Sequence, residues 1–441
     1  NRADFYEKEL TFQVSCSYGP GRYDPVYEQQ GHDYPYAFVR WTEQRNMEAF
    51  LNLIAEQKIN IKALTTHNFA IEEANTAYDM ISNQTESYLG VVLNYPSESA
   101  DRFAQRIKLS GQPVSGVIQL GLIGAGNHIK DMLLPSIRSS KLINIKAVCT
   151  GTGINAKAIA EKEQAEYCAS NYREIIDDDS IDAVIIGTRH DTHAEIIIAA
   201  LEQGKHVFVE KPLCLNKKEL ALIDVVYEQA AKKGVVLQVG FNRRYSQHAV
   251  KIKQFLGTTN NPLTMSYRVN AGLIPSDHWI QDADIGGGRI IGEACHFIDF
   301  MQFIAGSNPK AVFAMSVDQH ESGITQDKAI INIQFEDGSI GCLVYSGDGD
   351  KSLAKERFEV FVDGKSAVLD DFVKTNMYSG GQQQVYKSKK VDKGFSAEID
   401  QFISAITEPA PCDLYEQARA TTLASIDGVK SMSSRQCHII D

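Results

Sequence analysis

The sequence predicts an α/β protein in which a doubly wound parallel sheet precedes an α+β domain with an open, mostly antiparallel sheet. Three observations carry this. Between about Val117 and Asn242, short β-branched runs alternate with helical patterns, the order that builds a parallel sheet with helices on its faces. One of those runs, Val117–Ile123, passes straight into Gly124-Ala125-Gly126 and then a helix-like stretch. Beyond Tyr245 the rhythm changes to alternating apolar runs separated by turn dipeptides. The residues before about 110 follow neither rhythm and form an extra N-terminal α/β segment.

In chain order, Tyr18–Pro25 is a rigid, turn-rich loop, Met47–Lys58 is helical by period, Val91–Asn94 is strand-like, and Pro96–Gly116 is a polar linker. The parallel strands are Val117–Ile123, Ile143–Cys149, Ala183–Gly187, Val207–Val209 and Val235–Phe241, with helices near 128–140, 154–167, 192–203 and 217–233. Gly204 closes the third of these helices as a C-terminal cap. A strand at Leu263–Asn270 then leads through a loop containing Gly286-Gly287-Gly288 to a helix at about 290–305. Strands follow at Ala311–Val317, Ala329–Phe335, Ser339–Tyr345, Glu356–Val362 and Ser366–Asp370, with hairpin turns at Asp337-Gly338 and Asp363-Gly364. Helices at 396–407 and about 414–431 end the chain. The domains are therefore 1–110, 116–243 and 244–441.

A length of 441 residues exceeds one ordinary core, and a 43% hydrophobic content is that of a globular chain. A net charge of −12 argues against a nucleic-acid or anionic-membrane partner. No stretch is long and apolar enough to span a bilayer, no signal peptide opens the chain, and a start at Asn1 rather than Met reads as processed or truncated. Cysteines stand at 16, 149, 168, 214, 295, 342, 412 and 437, with no Cys-x-x-Cys pair. They predict buried thiols in a reducing compartment, the cytoplasm, and no metal site.

Glycine in a strand–helix turn lets the backbone approach a pyrophosphate, whose charge then sits at the helix N-terminus. Gly124 and Gly126 supply that turn, while the third glycine of the usual fingerprint is Ile129 here. Glu210-Lys211-Pro212 closes the strand Val207–Val209, which places Lys211 at the ligand-binding edge of an open parallel sheet. Together these point to a nicotinamide oxidoreductase. The second strand ends in Cys149-Thr150-Gly151-Thr152-Gly153, without the acid that usually holds an adenosine ribose, and Lys157 is the nearest base. The cofactor is NAD or NADP.

Residues from about 116 to 441 resemble the glucose–fructose oxidoreductase/inositol dehydrogenase/rhizopine catabolism (Gfo/Idh/MocA) family. The resemblance rests on Gly124-Ala125-Gly126, on Gly204–Val207 running into Glu210-Lys211-Pro212, and on Gly286-Gly287-Gly288 leading to His296-Phe297-Ile298-Asp299. It implies a Rossmann domain followed by an open sheet with helices on one face. It also implies Lys211 as the catalytic lysine and His296 as the general base. The family usually carries an aspartate where this chain has Gly292; Glu293 is adjacent and is a candidate partner for His296 from another angle. Gly124, Gly126, Asn127, Thr150, Thr188, His193, Glu210 and Lys211 are the implied cofactor contacts. The Thr188 segment resembles a cofactor-lining Thr-Pro-Asn turn in which Arg189 and His190 replace Pro-Asn. Arg244, His278, Trp279 and Asp299 are candidates for substrate contact, the polar–aromatic mix at His278-Trp279 suiting a sugar ring.

Residues 1 to about 95 resemble the C-terminal tail of a medium-chain, alcohol-dehydrogenase-like protein. The match is Glu9-Leu10-Thr11-Phe12, the Tyr18–Tyr27 loop, Leu64–Phe69 and Gly90–Leu93. That family's zinc ligands and dinucleotide loop would lie upstream of residue 1, so the segment is expected to serve packing or an oligomer contact. The combined expectation is a homo-oligomeric NAD(P)-dependent dehydrogenase or reductase. Its substrate would be a secondary alcohol or ketone of a sugar, sugar nucleotide or cyclitol. The alternatives are a nicotinamide-dependent glycosidase-like enzyme and a non-catalytic dinucleotide-binding regulator.

Overall fold

The computed structural model describes residues 2–10, 19–29, 31–95, 106–111, 115–258, 261–317, 327–408 and 414–440. The chain divides into two compact units, Asn1–Phe103 and Ala104–Asp441. Thr11, Phe12, Cys16 and Tyr18 of the N-terminal expectations, much of the expected linker, and Cys412 lie outside the described residues.

In the first unit, strands Thr65–Ala70 and Gly90–Asn94 pair in parallel, with the helix Ala74–Asn83 between them in sequence. The helix expected at Met47–Lys58 runs earlier, over Glu43–Ala55. The unit's described buried side chains are few, among them Ala77 and Met80, while Phe38 is 87% exposed.

The second unit opens with the parallel sheet. Its spatial order is Arg106–Lys108, Tyr167–Ala169, Ile143–Cys149, Ile118–Ile123, Ala183–Ile186, His206–Val209 and Leu237–Val239. The strand Ile118–Ile123 pairs with both Ile143–Cys149 and Ala183–Ile186, so the direction of winding reverses beside it. Ala183–Ile186 is buried along its whole length, as expected of a strand covered by helices on both faces.

Two details differ from expectation. The stretch read as linker supplies Arg106–Lys108, which pairs antiparallel with Tyr167–Ala169. Tyr167 itself belongs to that strand, because the helix expected to reach it stops at Lys162 and Gln164 takes φ +57°.

The second sheet runs in the order Gln382–Lys387, Lys374–Ser379, Lys365–Asp370, Glu356–Val362, Thr264–Asn270, Ile340–Ser346, Lys328–Phe335, Pro309–Ser316 and His438–Ile439. All its neighbours are antiparallel except Thr264–Asn270 beside Ile340–Ser346. Ala329, Ile331, Ile333 and Phe335 point inward in strict alternation. Asp363 and Gly364 both have positive φ (49° and 72°), the conformation of a tight two-residue hairpin.

The C-terminal helices reconnect the two halves. Phe402 of Phe395–Thr407 packs edge-on against Phe208 of the parallel sheet, with ring centroids 5.7 Å apart. Leu414–Ser434 gives Tyr415, Ala418 and Leu423 to the parallel-sheet core, and Ala424 and Met432 to the antiparallel-sheet core. The six described cysteines are free thiols. Cys149, Cys168, Cys214 and Cys295 are buried, whereas Cys342 is half-buried and Cys437 exposed, so burial does not extend to all of them. Among the described residues no helix is long and apolar enough to cross a membrane, and no cluster of side chains could hold a metal ion.

Candidate active site

Neighbouring strand ends form the floor of the site. The amides just beyond them continue the ladder, Gly124 N–H donating to Cys149 O, Gly187 N–H to Ile123 O and Glu210 N–H to Ile186 O, each at 2.8 Å. Gly124 has φ +81°, and a Cβ there would stand 2.6 Å from the Gly187 carbonyl carbon and the Thr188 nitrogen. Two strand ends therefore touch at a point where only glycine fits. Gly126 differs: a Cβ there meets nothing within 4 Å, so its face opens on the cleft.

Two cavities lie along this edge. One of about 500 Å³ is lined by Gly124, Thr150, Gly151, Tyr172, Thr188 and Arg189 among others. The other, about 390 Å³, is lined by Gly126, Asn127, His128, Thr188, His190, Glu210, Lys211 and Trp279 among others. Thr188 borders both. The glycine turn, the open face of Gly126 and a cleft at the reversal point of a parallel sheet fit a dinucleotide with its pyrophosphate at the turn. At the adenosine end, the Thr150 hydroxyl donates to Thr152 O at 2.6 Å rather than facing an acid.

Seven of the eight implied cofactor residues, Gly124, Gly126, Asn127, Thr150, Thr188, Glu210 and Lys211, line these cavities. His193 does not. It is fully buried beneath the turn, its Nδ1–H donating to Pro212 O at 2.7 Å and its Nε2 lying 3.4 Å from Thr188 O. Its place is structural, supporting the turns that carry Lys211 and Thr188 from below. Glu210 is buried and bonded to His128 Nε2 at 3.1 Å. Burial works against its charge, but His128 and Lys211 hold its carboxyl below the usual range.

Lys211 Nζ donates to Gly292 O at 3.0 Å. Gly292 lies in a π-helical stretch, Ile290–Ala294, that runs into the α-helix Cys295–Ala305. Glu293 lies within that stretch, whereas His296 and Asp299 stand on the regular helix beyond it. Glu293 turns to Arg289 Nη2 (2.7 Å), Lys355 Nζ (2.7 Å) and the Tyr345 hydroxyl (2.5 Å). Burial opposes its ionisation, but Lys355 and Arg289 pull its carboxyl down to about 2. It is a fixed anion committed to those groups and does not partner His296.

His296 is buried, with its ring edge-on to Phe241 at 6.0 Å, and its Nδ1 has no hydrogen-bond partner among the described residues. Burial, together with the charges of Arg243 and Lys211, keeps its imidazole neutral far below its ordinary pKa.

Two of the substrate candidates bind each other. Arg244 Nε donates to Asp299 Oδ2 at 2.9 Å, and its Nη2 engages Asp299 Oδ1. Asp299 is completely buried and Arg244 nearly so, and neither lines the two cavities. A carboxylate on the helix and an arginine after the last parallel strand thus serve to join the two halves. Arg243 does likewise with Glu356, at 2.8 and 2.9 Å. Of the loop pair, Trp279 lines the cavity of Lys211, whereas His278 is exposed and accepts from Ile280 N–H at 3.3 Å.

His128 and His190 also line the cavity of Lys211 and are not among the candidates that the sequence offers. His128 follows directly on Gly126-Asn127, a position that faces the cleft whenever the turn does. His190 was visible only as a departure from a motif.

Comparison with known proteins agrees with this architecture. A family profile described as "Oxidoreductase family, NAD-binding Rossmann fold" matches residues 118–241, and one described as "GFO/IDH/MocA C-terminal domain" matches residues 259–368. The myo-inositol 2-dehydrogenase of Thermotoga maritima is 30% identical over 272 residues, covering 59% of this chain and 75% of that protein. An uncharacterized oxidoreductase of Bacillus subtilis is 28% identical over 316 residues, covering 67% and 89%. Among solved structures, a levoglucosan dehydrogenase in complex with NADH and levoglucosan superposes with a TM-score of 0.64 at 21% identity, over 73% of this chain and 99% of that one. An oxidoreductase domain protein from Kribbella flavida superposes with a TM-score of 0.65 at 21% identity, over 74% and 99%. At these identities the two structures speak for the fold.

Proposed function

Because the chain belongs to the Gfo/Idh/MocA family of NAD(P)-dependent oxidoreductases, we propose that it moves hydride to or from a secondary alcohol carbon of a sugar, sugar nucleotide or cyclitol. The observation that carries this reading is Lys211, whose side chain opens on the same cavity as Gly126 and Asn127. Relatives named for inositol and D-xylose support the substrate class, as does Trp279, an aromatic face among polar groups.

In this reading Gly124, Gly126 and Asn127 hold the pyrophosphate, and Thr150 and Thr188 flank the adenosine and nicotinamide sides. When bound, the nicotinamide supplies the hydride acceptor for oxidation and the donor for reduction. Lys211 donates a hydrogen bond to the substrate oxygen beside the one it gives Gly292 O, stabilising negative charge as it develops there. His296 takes the hydroxyl proton, its neutral imidazole being free to accept, and returns it in the reverse direction.

The segment 1–95 is proposed to be the tail of a medium-chain dehydrogenase-like module retained for packing or self-association, making the protein a homo-oligomer. The free thiols of the six described cysteines, Cys149 to Cys437, suit a reducing, cytoplasmic setting. The test is nicotinamide absorbance with inositols, aldoses and sugar nucleotides, in both directions and with both cofactors. Turnover by the native chain that vanishes in Lys211→Ala supports the proposal. Tight cofactor binding with no turnover on any of them would favour the regulator instead.

A further inference from the structure

The side chain nearest to where a Cβ at 292 would stand is that of His190. Any Cβ at 292 would lie 2.9 Å from His190 Cε1 and 3.3 Å from its Nδ1, so the imidazole fills the space that a side chain at 292 would need. The ring is held from three sides. Its Nδ1 lies 2.7 Å from Gly286 O, and a carbonyl can only accept, so the proton resides on Nδ1 and Nε2 is left as an acceptor. Trp279 packs edge-on at 4.9 Å, and His193 stands at 5.7 Å. The ring lines the cavity shared by Asn127, Glu210 and Lys211. Burial and the neighbouring Lys211 charge push its pKa down to about 3, so it is neutral at any working pH. Lys211 meanwhile donates to the carbonyl of Gly292. The Lys211 ammonium and the His190 ring therefore both lie against Gly292.

We infer that His190 is a substrate-positioning residue whose Nε2 accepts a hydrogen bond from a hydroxyl of a polyol held beside Lys211, and that it does so in space left free by Gly292. This rests on the reading of the cleft as a polyol dehydrogenase site. A vicinal diol suits the arrangement, one oxygen taking the hydrogen bond of Lys211 and its neighbour giving one to His190.

The experiment compares the full-length wild type with His190→Ala, His190→Gln, Gly292→Asp and the double variant His190→Ala/Gly292→Asp. Myo-inositol, scyllo-inositol, D-xylose and levoglucosan serve as probes with NAD and NADP. Loss of one hydrogen bond to substrate should raise KM about tenfold or more in His190→Ala, with kcat changed less than about threefold. His190→Gln, which keeps an acceptor, should recover most of that loss and guards against a folding defect in the alanine variant. Gly292→Asp alone should be impaired by the clash, and removal of the ring should restore it above either single variant. If the wild type turns over a probe and His190→Ala retains its KM, the inference fails while the functional reading stands. If the wild type turns over none of these probes and none of the other inositols, aldoses and sugar nucleotides, the functional reading fails and this inference with it.

Discussion

Lys211 Nζ and the carbonyl oxygen of Gly292 stand 3.0 Å apart, tying the end of the strand His206–Val209 to the helical segment that leads to His296. The ammonium thus spends one donor on the protein and has two more for a substrate oxygen. Lys211→Met keeps the stem but removes every donor. It should lower kcat by about 100-fold or more while NADH affinity changes little, since a lysine that only bridges the two elements would show up in stability instead. Steady-state kinetics beside a thermal melt distinguishes the two, and an unchanged kcat would remove Lys211 from the chemistry.

The two turn glycines have separable duties. Gly124→Ala must relieve a 2.6 Å approach to backbone atoms and a φ of +81°, so it should destabilise the fold by roughly 1–3 kcal/mol. Gly126→Asp has room for its side chain in the free protein but sets a carboxylate in the cleft. It should melt like the wild type and lose NADH affinity by about tenfold or more through repulsion of the pyrophosphate. Differential scanning fluorimetry with and without NADH measures both. A normal NADH-induced shift in Gly126→Asp would move the pyrophosphate elsewhere.

Asp299 and Arg244 make the opposite case, two charged residues with a structural duty. Asp299→Ala leaves the Arg244 guanidinium buried without its carboxylate, which should cost about 3–5 kcal/mol in urea unfolding. Asp299→Leu combined with Arg244→Met should recover much of it. Cofactor affinity of the folded single variant should be near normal. An intact stability with a raised substrate KM would return both residues to the substrate site.

What the sequence made legible follows from how local each signal is. The parallel strands were visible because residues such as Val184, Ile185 and Ile186 are apolar on both faces, and the cofactor turn because Gly124 and Gly126 interrupt a strand at its end. The strands Lys374–Ser379 and Gln382–Lys387 were missed because the outer one faces solvent along most of its length and leaves no apolar alternation. Arg106–Lys108 was too short and polar to register, yet the Arg106 guanidinium stacks 3.6 Å from the Tyr167 ring centroid and bridges to Asp178 at 3.1 Å. The expected partnership of Glu293 with His296 fails because Glu293, in the π-helical stretch Ile290–Ala294, is taken up by Arg289, Lys355 and Tyr345. No pattern of spacing reports that Arg244 points at Asp299, because the two are brought together only when the halves of the unit pack.

Glu293 gives the molecule an acid-sensitive joint. Its carboxylate holds Arg289, Lys355 and the Tyr345 hydroxyl together, and its folded pKa of about 2 lies below the ordinary value of 4.5. A depressed carboxylate pKa contributes stability that is fully present above the unfolded pKa and disappears as pH falls through the folded one. The window is therefore about pH 4.5 down to about pH 2, and a shift of this size corresponds to roughly 3 kcal/mol. Glu293→Gln cannot titrate. It should be less stable than the wild type at about pH 6, and the gap should close as both are acidified towards pH 2, where the native carboxyl is protonated too. Because Glu293 does not touch His296, the pH dependence of kcat near neutrality should be the same in both proteins. Urea unfolding at a series of pH values supplies the first comparison and pH–rate profiles the second. A stability gap that stays constant down to pH 2 would mean that the carboxylate charge does not hold this cluster together.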